Sequence, residues 1–261
     1  MSTRIIDGNL QESLYNEIAK EKIGGKRVLR LFGRNTDVDN VRETVWSVGG
    51  EYVFPSSAIQ MVIVSTSASD TSGGVGANTV ELHYLDNNYE ERDEYITLNG
   101  LTPVNTVATN ILRVYKLHVL TVGSNGVAVG NIALKNLAGT VTYAQIPATF
   151  NISFDCIFTV PLGYTYYVTS WKISCGNSNG NRYGEFYLRA TCHDDEGTVE
   201  YNSGVFHVWD TIGVQDGAFK TVYNLPLRFV EKTDIIVDVV SDSGTANAIC
   251  LSTIGGYLEK N

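Results

Sequence analysis

Proline is scarce, with five in 261 residues, and charged side chains make up only 18% of the chain. Serine, threonine, asparagine and glycine fill the gap, a balance that favours pleated sheet surfaces and turns over solvated helices. Lysine and arginine number 19 against 28 aspartates and glutamates, for a formal net charge of −9. This excludes a general binder of nucleic acid or of anionic membranes, because attraction to phosphate needs clustered cations. The one basic cluster, Lys26-Arg27-Val28-Leu29-Arg30, is short and interleaved with apolar residues, and reads as a surface strand. No apolar run reaches transmembrane length, and the opening MSTRIIDGNL lacks the apolar stretch of a secretory signal, so cytoplasmic synthesis without membrane insertion is expected. Cys156, Cys175, Cys192 and Cys250 lie in the second half without CxxC spacing. Free buried thiols are the preferred reading, with a Cys175–Cys192 link across a hairpin as the alternative.

Catalytic and cofactor signatures are missing as well. The four histidines, His83, His118, His193 and His207, show neither HxH nor HExxH spacing, so no metal ligands are assigned. His193-Asp194-Asp195-Glu196 reads as a solvated hairpin tip, since neighbours along a strand point to opposite faces. The Gly73, Gly74 and Gly76 loop is followed by strand-like alternation and no Lys-Ser/Thr pair, which removes a phosphate-loop reading. There is no GxSxG elbow. Asp93-Glu94 is the nearest thing to a carboxylate pair for glycoside hydrolysis, without an identifiable partner across space. The expectation is a protein that is not an enzyme and uses no cofactor.

What the chain does contain is an internal echo. One common offset carries Pro55 onto Pro161, Val62 onto Val168, Ser72 onto Ser178, Gly74 onto Gly180, Leu82 onto Leu188 and Glu90 onto Glu196. In both copies these residues occur in one frame of strand, Ser/Gly/Asn-rich loop, strand and acidic turn. A longer offset carries Val119 onto Val237, Val122 onto Val240 and Gly126 onto Gly244. The difference implies an insertion of about twelve residues in the second copy, placed at His207–Ala218. Short alternating runs separated by Gly, Asn and Ser turns predict an all-β chain. The architecture expected is two tandem β-sandwich, jelly-roll-like domains over 41–138 and 139–261, behind an N-terminal arm over 1–40.

The arm carries one helix signal: Asn9 as cap, Glu12 three residues on, and Leu10, Leu14 and Ile18 at the spacing of a helical stripe. Gly24-Gly25 ends it, Arg27 to Phe32 alternates as a short strand, and Gly33 to Asn40 reads as a turn-rich connector. So short a helix does not stand alone in water, so its stripe must dock; Leu10, Leu14 and Ile18 are assigned as an assembly interface, with docking on their own domain as the alternative. In the presumed insertion, Trp209 is assigned as a contact to a ligand or partner, with a core position as the alternative. The stretch WSVGGEYVFP reads as a strand broken at Gly49-Gly50 and stopped by Pro55.

Several of these segments resemble a family of virion structural proteins from tailed phages, many of marine or cyanobacterial hosts. The resemblance lies in Gly33-Arg34-Asn35-Thr36-Asp37-Val38-Asp39, Glu43-Thr44-Val45-Trp46 and Gly49-Gly50 through Phe54-Pro55. It continues through Thr97-Leu98-Asn99-Gly100, Val119 to Ser124, Ala144 to Pro147 and Phe158 to Thr165, and so spans most of the chain after residue 30. It implies a capsid- or tail-associated role in a virion and carries over no catalytic residue. The function expected is a decoration, cement or head-fibre-base protein of the head exterior, with other virion proteins and copies of itself as partners. The alternative is a tail-associated protein that binds a receptor or host surface glycan.

Overall fold

Alternating apolar residues form strands throughout a computed structural model that describes residues 5–6, 9–10, 14–177, 182–195, 198–201, 204–242 and 248–261. The molecule is all-β with one short helix near its N-terminus. Strands β1 (Ile5–Ile6) and β2 (Asn9–Leu10) pair with each other, and helix α1 (Leu14–Ala19) follows. Asn9 and Leu10 are therefore extended, and the expected helix starts four residues late. Gly25, at φ 75°, turns the chain into β3 (Lys26–Val38), and β4 (Glu43–Thr44) comes next.

The middle of the chain forms two sheets. In the first, β11 (Thr142–Ile146), β10 (Ile132–Asn136), β5 (Met61–Ser65) and β8 (Val104–Asn105) lie side by side in that order. In the second, β6 (Ala77–Asp86) runs between β7 (Glu91–Thr97) and β9 (Ile111–Val122). Met61, Ile63, Ile132 and Leu134 of one meet Val80, Leu82, Ile96 and Leu117 of the other in a common apolar core. The boundary expected at 138 falls within the β10–β11 turn. Residues 142–146 alternate and pair with β10, which keeps them with the middle unit.

The rest of the chain builds a second pair of sheets. One contains β12 (Ile157–Thr159), β19 (Asp234–Ser241), β14 (Tyr183–Ala190) and β17 (His207–Gln215), with β4 also on β19. The other runs β18 (Gly217–Phe229), β13 (Tyr164–Gly176), β20 (Ala248–Lys260) and finally β3. A small hairpin of β15 (Cys192–Asp195) and β16 (Thr198–Tyr201) stands apart. Fully buried Trp171, Tyr166, Phe158, Phe186 and Phe229 fill the core of this outer unit.

The tandem order expected from sequence is thus not the order observed. Residues 26–38, placed in the arm, make a strand paired to β20 from Lys26↔Glu259 to Val38↔Ala248. The outer unit receives strands from both sides of the middle unit. Even so, the pairing pattern repeats: β11-β10-β5-β8 corresponds to β3-β20-β13-β18, and β7-β6-β9 to β17-β14-β19. The strand that follows β10 in the middle unit has its counterpart in β3, which precedes the other strands of both units. Gly33 shows why it reads as a turn. A Cβ there would lie 2.1 Å from the Val45 carbonyl oxygen, so the glycine serves a close backbone crossing inside a strand.

WSVGGEYVFP follows β4, occupies the seam between the two units and forms no strand of its own, only a single bridge from Trp46 to Asp155. Val45 packs in the outer core, while Trp46 and Tyr52 pack in the middle one, ring edge to ring face at 5.0 Å. Gly49 and Gly50, at φ 82° and 68°, bring their carbonyls 3.0 Å from the Trp46 indole nitrogen, which donates to both. The seam is also bolted by charge: Arg113 of β9 donates to both carboxylate oxygens of Asp234 of β19 at 2.9 Å. Arg27 of β3 pairs with Glu91 of β7 across the same divide. Among the described residues no helix is long and apolar enough to cross a membrane.

Candidate functional surfaces

The residues assigned to the N-terminal interface fare differently. Leu10 lies in β2, and its side chain is outside the described residues. Ile18 is fully buried, because α1 packs on β3 of its own chain, and Tyr15 approaches Tyr257 at 6.2 Å between ring centroids. Leu14 is half exposed, one turn before Ile18. A six-residue helix has room for one docked turn, so the stripe is divided between core and solvent. Beside it a groove of about 590 Å³ crosses the outer face of the β18-β13-β20-β3 sheet, lined by Tyr15, Val28, Phe32, Lys172, Lys220 and Tyr257.

Trp209 is not presented on a loop. The presumed insertion coincides with the edge strand β17, and Trp209, at a bulge between Val208 and Asp210, turns toward the outer core with Ile212 and Val214. The indole donates to the Cys192 carbonyl at 2.9 Å and meets Phe229 edge-on at 4.7 Å. The exposed apolar surface lies on the next strand instead. Paired only through β13, β18 is the free edge of its sheet and presents Phe219, Val222 and Leu225 to solvent, the last 85% exposed. Pro226 lies in this strand, which an edge tolerates and a central strand does not.

Cross-strand register gathers polar groups that sequence spacing keeps apart. His83 of β6 and His118 of β9 lie with ring centroids 5.0 Å apart, with Glu81 between them and Asp93 of β7 beside His83. The bulges between β6 and β9 set this register, and no local motif reveals it; the only signal in the sequence is Glu81 and His83 at i and i+2 of an alternating strand. Burial, then the neighbouring His83, push the His118 imidazole below its usual range. Asp93 and Glu94 do not act as a pair: Glu94 accepts from the backbone nitrogens of Val107 and Ala108 instead. The side chains of His193, Asp194 and Asp195 are outside the described residues, as is Glu196.

A second cleft of about 410 Å³ opens where the two units meet, lined by Arg27, His83, Glu91, Tyr115, Phe154 and Asp155. At its floor Asp155 is buried, and burial pushes its carboxyl up to about 7 against the help of Ser153 and Ser47. Among the described residues its Oδ1 has no hydrogen-bond partner. The four cysteines are free and buried, and Cys175 faces Cys250 of β20 in register, not Cys192. Of the aromatic run near Tyr164, Tyr166 and Trp171 are core residues and Tyr167 stacks on Tyr257.

No protein-family model matches this chain, and no curated protein does. Among solved structures, that of the infectious bursal disease virus Gt strain aligns over 95% of this chain and 77% of its own, at 8% identity and a TM-score of 0.18. That of the Gx strain covers 89% and 71%, at 13% identity and 0.17. The VP2 subviral particle of the same virus covers 89% and 71%, at 12% and 0.13. Scores this low carry no argument about this chain.

Proposed function

We propose that this protein is a non-enzymatic structural component of a virion, of the tailed-phage type its sequence resembles. It sits on the head exterior as a decoration, cement or head-fibre-base protein and binds other virion proteins and copies of itself. The observation that carries this reading is β18. Folded proteins blunt their sheet edges with short strands, charges or covering loops. Here the edge strand β18 carries Lys220 and Pro226 and breaks from β13 between Val222 and Leu227, and it still turns Phe219, Val222 and Leu225 to water. Such an edge offers both unpaired backbone groups and apolar area, the two things a strand-adding partner needs. Leu14, outward on α1, supplies the second contact.

Counting copies per purified particle tests the position. A number set by the icosahedral lattice is expected, whereas a few to a few dozen copies would move the protein to the tail and to receptor or glycan binding. Phe219→Asp combined with Leu225→Asp tests the edge, and Leu14→Asp the helix. Each variant should melt with the wild-type chain and fail to incorporate into particles; normal incorporation of either excludes the surface it alters.

A further inference from the structure

The outer face of the β7-β6-β9 sheet carries a group of side chains outside the assembly surfaces proposed above. Val80, Leu82 and Tyr84 of β6 point into the core, so alternation turns Glu81 and His83 outward. Register then sets Tyr95 of β7 and His118 of β9 on either side of Glu81, and Asp93 and Lys116 on either side of His83. The Glu81 carboxylate oxygen Oε2 lies 2.8 Å from Nε2 of His118 and 3.8 Å from Nε2 of His83. Ligand atoms bound to a tetrahedral zinc ion at about 2.0–2.2 Å lie roughly 3.3 Å from one another, a value these two separations bracket. All three ligand atoms fall within 4.8 Å of one another.

The surrounding groups match as well. Asp93 holds His83 at Nδ1 and leaves Nε2 directed at Glu81, the carboxylate–histidine arrangement that orients metal-bound imidazoles. Tyr95, the cross-strand partner of Glu81 on β7, sets its hydroxyl on the same face as that carboxylate. A plain Glu81–His118 hydrogen bond accounts for one histidine only. It gives no reason for a second imidazole, steered by its own carboxylate, to point at an oxygen already engaged. Two imidazole nitrogens and one carboxylate oxygen suit zinc over calcium or magnesium, which take mainly oxygen ligands. Lys116 is an adverse charge beside the site, and it is exposed on the β9 side.

We propose that Glu81, His83 and His118 form a Zn²⁺ site with Asp93 and Tyr95 as its supporting partners. Three protein ligands leave a fourth position open to water or to a group from a neighbouring molecule. His83 also lines the cleft between the two units, so the ion sits at the mouth of that cleft. The inference is independent of any virion role.

The test is calorimetric titration of the full chain, stripped of metal by chelation, with zinc chloride. One zinc per chain is expected for the wild type. Loss of that binding is expected for His83→Gln, for His118→Gln and for the double variant, all with wild-type circular dichroism. Asp93→Asn should bind about 10–100-fold more weakly. Because His83 and His118 are partly exposed, these substitutions leave the core intact. NMR of the imidazole rings gives a second readout, in which His83 and His118 shift on zinc addition while His193 and His207 do not. Absence of binding by the wild type, full binding by the double variant, or shifts confined to His193 and His207 each overturn the proposal.

Discussion

Arg113 and Asp234 are each nearly enclosed, with 11% of either side chain exposed, and they are the most fully satisfied charges across the seam. Asp234 also accepts from the Thr159 hydroxyl, and Arg113 donates to the Pro55 carbonyl at 2.8 Å. Removing one partner strands the other in low dielectric. Arg113→Ala should therefore cost about 3–5 kcal/mol. Replacing both with apolar residues should cost much less, and urea melts of the two variants decide it. Asp155 makes a prediction of the opposite sign. Its carboxyl is pushed up to about 7, so the folded state holds a proton that the unfolded chain releases near pH 4. Its contribution is complete below that lower value and is lost as pH rises through 7. The full difference amounts to about 4 kcal/mol. Asp155→Asn should gain stability relative to wild type between pH 4 and 8, as read from paired melts at each pH; a constant difference would exclude the protonated carboxyl.

At the scale of elements, the sequence is most legible where alternation meets a one-sided core. Thr79 to Tyr84 and Gly184 to His193 read as strands; β6 contains the first, and β14 covers the second as far as Ala190. The offset that carries Leu82 onto Leu188 reflects equivalent central strands in the two units. The illegible elements each have a physical cause. Gly33 and Asn35 look like turn residues. One is needed for a backbone crossing and the other spends its side-chain amide on Glu43 Oε2 and the Thr44 carbonyl, so neither interrupts β3. The histidine pair is invisible because His83 and His118 meet only through strand register, a long-range property. Trp209 is misread for a similar reason: β17 is the counterpart of β7, and the extra residues of the second copy fall before it, between β14 and β17, where β15 and β16 lie. Trp209→Ala should cost about 3 kcal/mol in denaturant melts of the full chain. A loss near zero would return the ring to a contact role.

For the whole molecule, the decisive feature is that β20 lies between β13 and β3. Cutting the chain before Ala248 removes the central strand of that sheet and should unfold the outer unit. The middle unit, closed by β11, keeps all its own strands. Amide NMR of the truncated chain should show dispersed signals from residues 59–146 and collapsed ones from the remainder; a folded outer unit would refute this. The arrangement also dictates an order of events during synthesis. A ribosome releases β3 early and its partner β20 after every other described strand, so Leu29 and Leu31 emerge with nothing to cover them. Until translation supplies residues 248–260, β3 is a sticky ribbon able to pair with a neighbouring nascent chain. Refolding at high protein concentration should reproduce that hazard, giving intertwined dimers in which each copy's β3 lies against the other's β20.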